Sequence, residues 1–273
     1  MPSQPVSPIL IRGGGDLASG AAWRLHRAGF RVVITEIAQP LAVRRLVSFA
    51  EAVYRGEISV EGVTAVRAES AAQALDLLAA GHIPVLVDPG ARCAEFLRPG
   101  VIVDGRMLKH DPGVGIPEAE LVIGLGPGFT AGINCHAVIE TNRGHSMGRV
   151  YWQGGAQADT GVPERVAQFQ GERVVRAPCA GVLVGLAEIG DLLILGQPIA
   201  EIAGQVVPAP FGGVLRGLLH PGLIVQAGLK IADVDPRGDP AYCAHISDKS
   251  LAVGGGVLEA ILSKPVLRVM LCS

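Results

Sequence analysis

"LIRGGGDLASGAAWRLHRAGFRVVITE", residues 10–36, decides how the first half of the chain is read. "ILI" at 9–11 is a short apolar run without alternation, the pattern of a strand buried on both faces. Gly13, Gly14 and Gly15 follow it, and allow a sharp turn with close approach to the backbone. Leu17, Ala21 and Leu25 then fall on one face of a helix that Gly29 stops. "FRVVITE" is a second strand, ending on Glu36.

Gly13-x-Gly15-x-x-Ala18 fits the G-x-G-x-x-G/A fingerprint, with an acid at the end of the next strand. A Rossmann-like unit is therefore expected. Its candidate cofactor-binding residues are Gly13, Gly14, Gly15, Asp16, Leu17, Ala18 and Glu36. Helix N–H groups would face a phosphate, and Glu36 would accept from a ribose and disfavour a 2′-phosphate. Asp16 stands inside the turn and leaves two readings open. Its carboxylate caps the helix and competes with a phosphate, or it points outward to a partner or metal.

"VEGVTAVRA" (60–68) is expected as one strand, "SAAQALDLLAAG" (70–81) as a helix capped by Ser70, and "IPVLVD" (83–88) as the next strand. "VIVDG" and "AELVIGLGPGFTAG" continue a parallel sheet. The second ends in another glycine turn, where Gly126 and Gly128 either line the same crevice or form a plain tight turn. In "NCHAVIETNRGH", Cys135 and His136 are neighbours whose side chains would face opposite ways on a strand, so they form no simple dyad. Arg143 and His145 are the candidates for contact with an anion.

The 273 residues carry a net charge of −2 and are 49% hydrophobic, enough for a core and without a field for nucleic acid. No apolar run approaches a membrane span, and the N-terminus lacks the pattern of a signal peptide. Cys93, Cys135, Cys179, Cys243 and Cys272 are scattered without a C-x-x-C pair, which argues against a disulfide framework or structural zinc. A cytoplasmic protein without a metal is expected.

An internal repeat dominates the second half. "APCAGVLVGLAEIGDLLILGQPIAEI" (177–202) aligns with "APFGGVLRGLLHPGLIVQAGLKIADV" (209–234) at a constant offset of 32, with 11 of 26 positions identical. Each copy reads as short strands punctuated by glycine: "GVLVGL", "PIAEI", and a turn–strand–turn in "EIGDLLILGQ". Residues 174–236 resemble the biotinyl/lipoyl-type barrel-sandwich hybrid. The hairpin between the halves, "IAGQVV", holds no lysine for biotin or lipoate attachment, and Lys230 lies in a late strand. The module thus reads as a docking part, a cleft wall or a spacer. In "SDKSLAVGGGVLEAILS" a helix enters from Ser247, and Gly254, Gly255 and Gly256 suit close approach of another backbone or a helix start at a ligand. "VLRVML" (266–271) is expected as a closing strand.

The stretches "IRGGGDLASGAAWRLHRAGF", "VLVDP", "GLGPGFTAG", "HAVIETNRGH", "DTGVP", "RAPCAGVL" and "GGGVLEAIL" resemble the bacterial YqeB-type family of selenium-dependent molybdenum hydroxylase system proteins. That family is more distantly similar to XdhC/CoxF-type maturation factors. The resemblance implies an accessory role in maturing a molybdenum hydroxylase client, with a nucleotide or the molybdenum cofactor as ligand. It supplies no catalytic residues. An NAD(P)-dependent oxidoreductase is the alternative, although Tyr54, Tyr151 and Tyr242 lack a partner lysine in a Tyr-x-x-x-Lys pair. A non-catalytic interaction protein with a vestigial nucleotide fold is the third reading. The expected organisation is α/β: a Rossmann-like parallel-sheet domain (1–150), a connector (151–173), a small all-β barrel-sandwich hybrid (174–236), and a C-terminal helix and strand (237–273) packing on the first domain.

Overall fold

A computed structural model describes residues 7–108, 113, 115–158 and 172–272. Residues 159–171, most of the expected connector and the whole of "DTGVP", lie outside the described residues. The chain forms two compact units. The first comprises Met1–Pro40, Phe49–Asp159 and Ile246–Ser273, and the second Leu41–Ser48 and Thr160–His245.

The first unit is an α/β Rossmann-like domain. Its strands are β1 (Ile9–Arg12), β2 (Val32–Glu36), β3 (Glu57–Val60), β4 (Val63–Ala68), β5 (Ile83–Val87), β6 (Val101–Asp104), β7 (Leu121–Leu125), β8 (Thr130–Ala131), β9 (Ala137–Ile139), β10 (Val150–Tyr151) and β11 (Gly154–Gly155). Nine of them form one sheet in the order β10-β9-β7-β6-β1-β2-β5-β4-β3, and β8 pairs with β11. The sheet is parallel except at its two margins, β10–β9 and β3–β4. Tyr151 and Gly154–Gly155 are paired strand residues, so the connector begins later than position 151.

Helices α1 (Asp16–Arg27), α2 (Ala52–Arg55), α3 (Ala71–Ala79) and α4 (Ala94–Leu97) fall between these strands. All four residues of β1 are buried, as its unbroken apolar run requires. Leu10 joins Val33, Ala74, Leu78, Ile102 and Val122 in one core cluster. The alternating residues Ile9 and Ile11 face the other side of the sheet. Ser70 caps α3 by accepting the Gln73 N–H. Ser70→Ala should lower stability by about 1 kcal/mol, read as a small drop in the urea midpoint at constant m.

Two expectations fail here. The run 60–68 is not one strand but the turn and second arm of the β3–β4 hairpin. Glu61 (φ +43°) and Gly62 (φ +80°) make its two-residue turn, both with the positive φ that matches strand twist. Residues 266–271 are not a strand either. They lie in a helix, Pro265–Cys272, whose first residue is a proline with φ already suited to a helix start.

α5 (Ala241–Ala244) closes the second unit, and α6 (Asp248–Leu262) and α7 (Pro265–Cys272) belong to the first. Ser247 caps α6, accepting the Ser250 N–H. α6 packs along α1, and glycine makes the approach possible. A Cβ on Gly20 would stand 2.5 Å from Ser250 Cβ, and one on Gly254 would stand 2.9 Å from the Gly20 carbonyl oxygen. A Cβ on Gly256 would collide with the Gly148 carbonyl. Two of the three glycines therefore admit a neighbouring backbone.

The strands of the second unit are β12 (Val174–Arg176), β13 (Gly181–Gly185), β14 (Leu192–Leu193), β15 (Pro198–Ile202), β16 (Gln205–Pro208), β17 (Gly213–Leu218), β18 (Ile224–Val225) and β19 (Lys230–Asp235). These form two four-stranded antiparallel sheets, β12-β19-β17-β14 and β16-β15-β13-β18. The 32-residue offset carries the first sheet onto the second strand by strand, so each half lends its short middle strand to the other half's sheet. The repeated identities have structural causes. Leu183 and Leu215, Ile199 and Ile231, and Ala200 and Ala232 are buried at equivalent places. Gly190 and Gly222, like Gly196 and Gly228, take positive φ at equivalent turns.

Candidate functional site at the first glycine turn

β1 lies between β2 and β6, the point where the strand order reverses and an α/β sheet opens a crevice beyond its carboxyl ends. Gly13 (φ +91°) makes the turn there, with its N–H donating to the Thr35 carbonyl at 2.8 Å. Gly14 is enclosed. Its N–H donates to Glu36 Oε2 at 2.8 Å, and its carbonyl accepts the Ala50 N–H and the Ser19 hydroxyl, each at 2.9 Å. A Cβ there would stand 2.8 Å from the Ala50 nitrogen.

Gly15 is different. It is the N-cap of α1, its side-chain position meets nothing within 4 Å, and it makes no side-chain cap. Among the described residues the N–H groups of Gly15, Leu17 and Ala18 donate to no acceptor. Asp16 does not cap the helix. It is the first helical residue, and its Oδ1 accepts the Ser250 hydroxyl of α6 at 2.7 Å. Gly15, not Asp16, holds the cap position, so the capping reading fails and the carboxylate is bound to the neighbouring helix.

Glu36 closes the back of the turn. Besides the Gly14 amide it accepts the Ile37 N–H, through Oε1 at 2.8 Å. Tyr54, whose hydroxyl donates to the Pro40 carbonyl at 3.0 Å, is pushed up to about 12 by burial and by the charges of Glu51 and Glu36. It holds its proton throughout the neutral range.

The second glycine turn is filled by its own chain. The Phe129 ring occupies the space beside Gly124, and a Cβ on Gly126 (φ +77°) would collide with Thr141 Oγ1. Asn134 clips the loop, donating to the Gly128 carbonyl at 3.1 Å and accepting the Thr130 N–H at 2.8 Å. Gly126 and Gly128 follow β7, and β6 separates that strand from β1. Both turns leave the carboxyl ends of the sheet, and the segment after β6 runs between them, with Arg106 against Gly13 and Met107 against Gly126. The two anion candidates lie on the loop after β9, and the first turn of α6, which binds Asp16 through Ser250, also holds Arg143. Arg143 pairs with Asp248 in the first turn of α6, its Nη2 lying 2.8 Å from Oδ1, and His145 is exposed on the same loop.

Three residues beside the first turn, Arg12, Asp104 and Arg106, stand outside the glycine fingerprint motif. Arg12 ends β1 and Asp104 ends β6, in register as neighbours. Asp104 is fully buried and held by Arg106, with Nε 3.0 Å from Oδ1 and Nη2 2.5 Å from Oδ2. The Arg106 backbone passes 3.3 Å from where a Gly13 Cβ would stand. Burial, and then the charge of Arg106, lower the pKa of Arg12. An arginine immediately before the glycine run and an aspartate ending an apolar strand were the available signals.

Cys93 and Cys135 keep their protons at neutral pH. Burial and Asp88 push Cys93 up to about 12, and burial pushes Cys135 up to about 11. His136 Nδ1 accepts the Val122 N–H at 2.9 Å, on the strand-start side of the sheet. There it helps line an open cavity of about 530 Å³ with Ser7, Arg98 and Glu118. That cavity lies at the opposite sheet edge from the glycine turn.

No family model matches the sequence. A relative does. The chain is similar to the uncharacterized protein YqeB of Escherichia coli strain K12. The two are 48% identical over 254 residues, 93% of this chain and 47% of YqeB. The chain thus spans about half the length of the curated relative it matches. Among solved structures, the product-bound ectoine utilization protein EutE (DoeB) from Ruegeria pomeroyi aligns over 83% of this chain and 56% of its own, at 11% identity and a TM-score of 0.24. Its apo form aligns over 84% and 86%, at 9% identity and a TM-score of 0.26. Among the described residues no helix is long and apolar enough to cross a membrane.

Proposed function

We propose that this protein is an accessory factor for a molybdenum hydroxylase, holding the anionic end of a nucleotide or of the molybdenum cofactor at the first glycine turn. The observation that carries the ligand reading is the mouth of α1. Among the described residues three amides there lack acceptors and nothing stands beside Gly15, while the Asp16 carboxylate accepts from Ser250. Unpaired amides at a helix start attract a phosphate through hydrogen bonds and the helix dipole. The accessory role rests on the YqeB-type resemblance and on the more distant XdhC/CoxF similarity. In this reading the second unit is a barrel-sandwich hybrid that grips a client, and the protein works in the cytoplasm.

The oxidoreductase reading draws on Glu36, the acid that ends the second strand, and the sequence holds no Tyr-x-x-x-Lys pair. One titration separates the two. NADH binding that is weakened by Glu36→Gln favours the dinucleotide. A pterin released on denaturing the purified protein, with co-elution of a molybdenum hydroxylase, favours the accessory role. Retention of neither pterin nor hydroxylase, with no heat from millimolar NADH, defeats both.

Gly15→Ala tests the location. Its backbone (φ −71°, ψ −179°) suits alanine, and nothing crowds the new methyl. The melting temperature should stay within about 2 °C, while affinity for the retained ligand falls about tenfold or more. Unchanged affinity in calorimetry would move the site elsewhere.

A further inference from the structure

The two sheets of the second unit occupy equivalent places in the repeat, and their surroundings differ. Val214 of β17 and Val182 of β13 are one repeat apart. Each pairs across its strand with an exposed aliphatic residue, Leu192 and Ile224 respectively. Yet Val214 is 0% exposed and Val182 is 49% exposed. The β17 sheet is covered from within its own unit, because α5 and the turn Arg45–Val47 lie against it. Arg45 Nε donates to the Leu218 carbonyl at 2.7 Å. The Val43 carbonyl comes within 2.7 Å of where a Gly217 Cβ would stand. Arg44 fastens the strap to α5 by donating to the Tyr242 and His245 carbonyls, at 3.0 and 2.8 Å.

Among the described residues the β13 sheet has no such strap. Val206, Glu201 and Val184 stand side by side on three adjacent strands, with Val182 and Ile224 next to them. All four aliphatic residues are about half exposed or more. Glu201 is the counterpart of Asp233, which binds Arg173 and Arg216. At the arginine positions the first repeat has Gln205 and Val184, and among the described residues Glu201 makes no ion pair. A contiguous branched-aliphatic face around one uncompensated carboxylate is a recognition surface, and its complement is apolar and basic.

From this we infer that the outer face of the β16-β15-β13-β18 sheet docks a polypeptide segment of another protein, one that carries small aliphatic side chains and an arginine to meet Glu201. The composition is that of the strap on the twin sheet, Leu-Ala-Val-Arg-Arg-Leu-Val-Ser at 41–48. The inference deepens the reading of this unit as the docking part. It does not depend on which ligand occupies the glycine turn.

The probe is the free peptide LAVRRLVS titrated into the full chain, followed by fluorescence anisotropy and methyl NMR. The expected result is weak saturable binding, of the order of 100 μM, as befits a small contact. Methyl shifts should be confined to Val182, Val184, Val206 and Ile224. Val184→Ser with Ile224→Ser should weaken it about tenfold or more with the melting temperature unchanged. Glu201→Lys should do the same and should gain affinity for LAVEELVS, the charge-reversed peptide. Several outcomes overturn the inference: no binding, shifts centred on Val214 where the peptide would displace the native strap, indifference to Glu201→Lys, or concentration-dependent self-association through these methyls. NADH and pterin measurements at the glycine turn are unaffected by any of them, so the two readings fail separately.

Discussion

Gly20→Ala is expected to lower the melting temperature of the first unit by about 6–12 °C. The new methyl would lie 2.5 Å from Ser250 Cβ and 2.8 Å from the Ser250 carbonyl carbon and oxygen, which belong to a helix backbone and cannot rotate away. α1 and α6 must separate, and overpacking of this kind costs about 3 kcal/mol, which in a domain of this size corresponds to that shift. The intrinsic gain from replacing a helical glycine, about 1 kcal/mol, is not enough to offset it. α6 supplies its own control. Gly254→Ala should destabilise for the same reason, since its Cβ would lie 2.9 Å from the Gly20 carbonyl oxygen. Gly255→Ala meets nothing within 4 Å and should stabilise by up to about 1 kcal/mol. Adjacent glycines in one helix should thus move thermal melts in opposite directions. A shared direction would mean that the helices are not packed through their backbones.

Those glycines show what a sequence discloses and what it withholds. Three glycines in a helix signalled close approach, but nothing local named Gly20, some 230 residues away, as the partner. Caps were legible because Ser70 and Ser247 act on amides three residues ahead. The repeat was legible because its buried Leu, Ile and Ala residues and its positive-φ glycines recur at the same places. The β3–β4 turn was legible and missed: Val60 and Val63 are three positions apart, which breaks the period of two, and Glu61-Gly62 stands between them. The segment 266–271 is too short and too evenly apolar to distinguish a strand from a helix by period. At the candidate site, the glycine run and Glu36 could be read directly. The Asp104–Arg106 pair beside Gly13 could not, because strand adjacency brings together residues about ninety positions apart. The allotment of Leu41–Ser48 to the second unit left no local trace either.

Asp233→Ala should cost the second unit about 3–5 kcal/mol, the usual penalty for stranding buried cations. The Asp233 side chain is 1% exposed, with Arg173 Nη2 3.0 Å from Oδ1 and Arg216 Nη2 2.7 Å from Oδ2. Arg216 keeps a second carboxylate, Asp235, at 3.3 Å, whereas Arg173 keeps none among its ion pairs. Arg173→Met in the Asp233→Ala background should therefore recover part of the loss, because it removes the charge left without a partner. At the equivalent place in the first repeat, Glu201→Ala should change stability by less than about 0.5 kcal/mol, since no cation depends on it. Asp235 adds a pH signature. Burial pushes its carboxyl upward, but hydrogen bonds from Arg237 and the charge of Arg216 outweigh that and leave the net shift downward. A folded pKa below the unfolded value means that the carboxylate's contribution is fully present above about pH 4. It is lost as the pH falls through the folded value. Urea midpoints from pH 7 down to pH 3 should hold nearly level and then drop, and Asp235→Asn should flatten that acid limb while lowering the plateau. An acid limb unchanged in Asp235→Asn, or Asp233→Ala melts that match wild type, would show that the arginines find their counter-charge elsewhere.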